Sequence, residues 1–111
     1  MSPDLLASPL LRAAVRILVR EMELGDRDTF AAAGASALEL WERGRIRPGD
    51  AALEVLLRKA ALRRRQARIE GLTPAGRRHD REARTALEAL GEHIVTRLLE
   101  ATGDVHTRGA A

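Results

Sequence analysis

Ala83, Leu87, Leu90, Ile94, Leu98 and Ala101 follow one another at spacings of three and four residues. Only an α-helix returns side chains to one face at that interval, so the last third of the chain has to be a helix carrying an apolar seam, and a seam needs a surface to pack against. Leu53, Leu56, Leu57, Ala60 and Ala67 form a second stripe, and Leu11, Ala14, Val15, Leu18 and Met22 a third. The chain has one Phe, one Trp and no Tyr, and the aromatic and β-branched side chains that favour strands are scarce. Together the stripes predict an all-α fold, a small helical bundle packed through small and aliphatic residues. At 111 residues the chain fits one domain with a core of its own.

Gly, Pro and short polar residues place the helix ends. Ser8 before Pro9 starts a first helix, about 9–24, which stops at Gly25. Asp26 or Asp28 opens a short helix, about 27–33, with Gly34 as its left-handed stop. Ser36 and Glu39 make a capping box for another short helix, about 37–43, ending at Gly44. Asp50 caps a longer helix, about 51–70, and Thr73 with Pro74 begins the last, about 74–102. The expectation is three longer helices and two short ones in a single domain, 1–102, and a tail, 103–111, that frays. Gly91 weakens the last helix by about 1 kcal/mol relative to Ala unless a close helix contact uses the missing side chain, which marks it as a packing site.

Charge is distributed unevenly. Residues 1–57 carry seven bases against nine acids, net −2; residues 58–84 carry ten against three, net +7; residues 85–111 carry two against four, net −2. The short link Gly71 to Pro74 forces the two long helices to run antiparallel, so the basic residues of both arms gather at one tip. Arg63, Arg64, Arg65 and Arg68 encircle the end of their helix, and a helix charged all round has to project into water or against an acidic partner. The candidate contact residues are Arg58, Lys59, Arg63, Arg64, Arg65, Arg68, Arg77, Arg78 and Arg81. Within the last helix, Arg78 with Glu82 and Arg84 with Glu88 stand one turn apart as supporting pairs.

Catalytic chemistry finds no foothold. There is no Cys, and no HExxH, Ser-centred elbow or Gly-rich phosphate loop. His79, His93 and His106 are far apart in sequence; His79 falls on the charged tip and is expected to be exposed. Glu88, Glu92 and His93 do not share one helix face, so no metal site is expected. No catalytic residue and no cofactor is assigned. Trp41 reads as a core plug. The N-terminus has no basic n-region, and Arg12, Arg16 and Arg20 interrupt its apolar stretch, which argues against a signal peptide or membrane span and for a cytoplasmic protein.

The run FAAAGASALELWERGRIRPGDAALEVLL, residues 30–57, resembles the centre of a Cro/repressor-type helix-turn-helix of antitoxin-like regulators. Phe30, Gly34, Ser36, Trp41, Glu42, Gly44, Pro48, Ala51, Ala52 and Leu53 match its order. The resemblance implies a DNA-binding regulator. Between Gly34 and Trp41 the chain is about two residues shorter than that pattern, where base-reading side chains would stand, and Ala37, Leu38, Glu39 and Leu40 offer no donor to base edges. The segment LTPAGRRHDREA also resembles the wing-to-helix junction of winged-helix repressors of the multiple-antibiotic-resistance type.

Two functions follow. The first is a non-enzymatic regulator whose Arg-rich hairpin tip contacts nucleic-acid phosphates without sequence selection. The second is a protein-interaction module, an adaptor, immunity-type or phage-structural protein, docking an acidic partner. A homodimer through Leu87, Leu90, Ile94 and Leu98 would extend a core short of large side chains.

Overall fold

The structure, a computed structural model, describes residues 4–21, 27–44 and 46–102. A 3-10 turn, Leu5–Ala7, precedes four α-helices: α1 Pro9–Glu21, α2 Arg27–Arg43, α3 Ala51–Glu70 and α4 Pro74–Thr102. The expected all-α bundle is observed, and three helix starts fall where the capping signals put them. Leu11 N donates to Ser8 Oγ at 3.4 Å, Leu53 N to Asp50 Oδ1 at 2.6 Å and Gly76 N to Thr73 Oγ1 at 3.0 Å. Met22, the expected end of the first helix near residue 24, Asp26 and the tail 103–111 lie outside the described residues.

The two short helices expected at 27–33 and 37–43 are one continuous helix, α2. Gly34 is not a stop. It sits where α2 crosses α4, and a Cβ there would overlap the Leu87 carbonyl; a Cβ at Gly91 would overlap the Phe30 carbonyl. Each glycine removes the side chain that would hold the two backbones apart, so the packing role expected for Gly91 is shared with Gly34. Gly in a helix interior is disfavoured by about 1 kcal/mol, which close packing along a long crossing outweighs. Ser36 and Glu39 therefore lie inside the helix, and Glu39 pairs with Arg43 at 2.8 Å instead of closing a capping box.

α4 is the spine, with α2 and α3 both packed along it. Leu38, Leu53, Leu57, Leu90 and Ile94 are fully buried between them. Leu90, Ile94 and Leu98 of the seam expected to join two copies lie in this chain's own core, with Leu87 half-buried against it. The chain start closes one end of the bundle: Leu5 is fully buried, and its N–H donates to the Arg47 carbonyl at 2.8 Å. Among the described residues no helix is long and apolar enough to cross a membrane.

Asp50 ties the start of α3 to α4. Its Oδ2 lies 3.6 Å from both His93 Nε2 and Arg97 Nη1. The Leu53 amide, and then the His93 and Arg97 charges, hold the carboxyl below its ordinary value of 3.8 although burial opposes them. Asp50→Ala is expected to lower stability by about 1 kcal/mol at neutral pH. Because the folded carboxyl takes up a proton less readily than the unfolded one, its contribution is present above the ordinary value and is lost as pH falls through the lowered one. Urea melts of wild type and variant should differ at about pH 7 and draw together as pH falls below the ordinary carboxyl value; a gap that stays constant into acid would place the contribution outside this carboxylate.

Candidate functional site

α3 and α4 form an antiparallel hairpin turned by Gly71, Leu72 and Thr73. Gly71 closes α3 at φ 60°, a left-handed conformation that suits glycine, and its N–H donates to the Ala67 carbonyl. Thr73 then works on both sides of the turn, its hydroxyl donating to the Glu70 carbonyl at 2.9 Å and accepting from Gly76. The buried stripe of α3 consists of Leu53, Leu57 and Ala60. From residue 61 to residue 82 no side chain larger than Gly76 is buried, so the outer half of the hairpin stands away from the core, as the ring of arginines predicts.

The nine candidate bases come together at this end of the molecule but divide between two grooves. One groove, about 320 Å³, runs between the helices and is lined by Lys59 and Arg63 from α3 and Arg78, Arg81 and Glu82 from α4. The other, about 530 Å³, lies between α3 and the end of α2 and is lined by Arg58, Arg64, Arg65 and Arg68 with Trp41 and Glu42. Arg77 lines neither and is exposed near the turn.

Two of the nine are compensated. Arg58 reaches Glu54 Oε1 with Nε at 3.0 Å and Nη2 at 2.8 Å, and Arg63 Nη1 lies 2.8 Å from Glu82 Oε2 across the hairpin. The other seven, Lys59, Arg64, Arg65, Arg68, Arg77, Arg78 and Arg81, have no ion-pair partner among the described residues. Arg84 pairs with Glu88 at 3.3 Å as its spacing predicts, and also with Asp28 of α2. Glu82, expected to serve Arg78, turns to Arg63. His79 is not exposed as expected: its side chain is 16% exposed, with Nδ1 3.7 Å from Glu82 Oε2.

The backbone field adds to the side-chain charge. Arg68 in the last turn of α3 faces the negative end of a helix dipole, which is favourable. α4 has no acid in its first turn, and Arg77 and Arg78 stand near its positive end. Cations there disfavour the helix by up to about 1 kcal/mol each, so these two are not placed for helix stability.

No family model, curated protein or solved structure matches the chain. Within the segment that resembles a repressor helix-turn-helix, α2 buries Ala37 and Leu38, and Leu40 and Trp41 pack against the core. Trp41 is thus a plug on one side, as expected, and a groove wall on the other. Among the described residues no cluster of three or more His, Asp or Glu side chains is arranged to hold a metal ion; His106 lies outside them.

Sequence reasoning missed one set of surface residues. Val55, Leu62 and Ile69 are exposed on the side of α3 opposite its buried stripe. Their spacing of seven was visible, but a set with a single aliphatic every two turns is easily lost beside the denser stripe of Leu53, Leu56, Leu57 and Ala60.

Proposed function

We propose that this protein is a non-enzymatic helical regulator that grips nucleic-acid phosphates with the end of the α3–α4 hairpin. One observation carries the reading: bases from two helices, Lys59 on α3 and Arg78 and Arg81 on α4, face one groove without acid partners among the described residues, with Arg77 beside them. Clustered cations attract a polyanion by displacing its counterions, and they do so without reading sequence. The positive end of α4 reinforces the attraction. No aromatic lines this groove, which fits duplex backbone better than stacked single-stranded bases.

The test is fluorescence anisotropy against a random DNA duplex across a salt series, for wild type and for Arg77→Glu/Arg78→Glu/Arg81→Glu. Wild type is expected to bind at about 50 mM salt and to weaken steeply by about 200 mM; the variant should flatten the logarithmic salt slope by about three. Two of the new acids lie near the positive end of α4, so the variant should stay folded and melt no lower than wild type. Absence of wild-type binding at low salt, or binding indifferent to the three substitutions, would overturn the reading.

A further inference from the structure

Val55, Leu62 and Ile69 are 63%, 49% and 78% exposed and recur every seven residues. At 1.5 Å per residue they mark about 21 Å of one helix face, two heptads long. Bases flank them: Arg58 and Arg65 each follow an aliphatic by three residues, and Lys59 stands on the other side. Toward α2 the surface drops into the groove walled by Trp41, Glu42, Ala61, Arg64 and Arg68, in which the bases outnumber the single acid. Phosphates would gain nothing from the aliphatics, and a row of them along a helix face is the kind of apolar surface that marks a protein contact.

We propose that this face docks an acidic amphipathic helix of a partner protein. The partner's aliphatic side chains lie on Val55, Leu62 and Ile69, and its carboxylates meet Arg65 beside the row and Arg68 in the adjoining groove. Charge complementarity selects this occupant. A second copy of α3 laid on the same face, parallel or antiparallel, would bring arginines of positions 58 and 65 against one another. An acidic helix instead compensates Arg65 and Arg68, which have no ion-pair partner among the described residues. Heptad aliphatics supply the buried area and set the register, while the charges orient and speed the encounter. The face borders the groove assigned to phosphates at Lys59, whereas Arg78 and Arg81 line that groove alone, and neither proposal depends on the other.

Trp41 is the only tryptophan, so its emission reports occupancy of the adjoining groove. The probe is a synthetic three-heptad helical peptide with Leu at the first and fourth heptad positions and Glu at the fifth and seventh. Polyglutamate of equal length and a random duplex serve as comparisons. The peptide is expected to shift Trp41 emission and bind saturably. Leu62→Asp should weaken it at least ~10-fold. Arg65→Glu/Arg68→Glu should weaken it similarly and reduce its salt dependence. Arg78→Glu/Arg81→Glu, on the other groove, should leave it unchanged while weakening duplex binding.

Four results would overturn the proposal. They are no binding of the peptide; polyglutamate binding equally well; a duplex, but not the peptide, shifting Trp41; and a dimer in sedimentation that Leu62→Asp converts to monomer, since a second copy would then cover the face. Leu62 is half exposed, and circular dichroism checks that its variant is folded; Val55→Asp, at a more exposed position, repeats the test if it is not.

Discussion

Gly91→Ala is expected to lower the melting temperature even though alanine is the better helix former. Propensity alone gives a gain of about 1 kcal/mol. A Cβ at this position, however, would overlap the Phe30 carbonyl, a backbone group that no rotamer change moves aside. α2 and α4 must separate, and overpacking of this kind costs about 1–3 kcal/mol or more, equivalent to a fall of roughly 5–15 °C for a domain of this size. Gly34→Ala meets the Leu87 carbonyl and should act in the same direction. Once one substitution has parted the helices the second has less to disturb, so the double variant should lose less than the sum. Thermal melts followed by circular dichroism decide it, and a rise in melting temperature for either single variant would remove the crossing from the account.

Leu57→Ala should destabilise by about 2–5 kcal/mol, whereas Leu62→Ala, five residues along the same helix, should stay within about 0.5 kcal/mol. The two side chains are equal in size and differ in placement. Leu57 is fully buried and is one of only three buried residues that fasten α3. Leu62 has no core to leave, being 49% exposed. Urea denaturation of both variants checks the contrast, and equal losses would mean that the two faces of α3 have been assigned wrongly.

How far the sequence speaks depends on the kind of signal. Ser8, Asp50 and Thr73 announce helix starts through hydrogen bonds made within three residues, so local chemistry suffices to find them. The α3–α4 hairpin is equally local, because a link as short as Gly71 to Pro74 leaves no other direction. Gly34 has two meanings that look alike in sequence: a left-handed stop, or a missing side chain at a crossing. Only α4, more than fifty residues away, decides between them. Ser36 and Glu39 compounded the ambiguity, since a cap and an exposed helical turn use the same residues.

The site divides along the same line. That bases gather at one end follows from helix direction alone. Their division between two grooves depends on which arc of α3 each occupies and on where α2 ends, and so does the turning of Glu82 from Arg78 toward Arg63. Trp41 shows the limit most plainly: its size predicts burial, but its second role as a groove wall arises from where the end of α2 comes to lie beside α3.

The hairpin's shortage of buried side chains beyond Ala60 also has a kinetic meaning. Stability is held in the half of the molecule where α4 meets Leu38, Leu53 and Leu57, and little of it reaches the turn. Amide protons near Gly71 can therefore exchange with solvent through local opening, while those around Leu90 and Ile94 wait for the whole domain to unfold. A ligand that binds the basic end would be felt first as slowed exchange in the outer turns, with the melting of the domain following only as mass action requires.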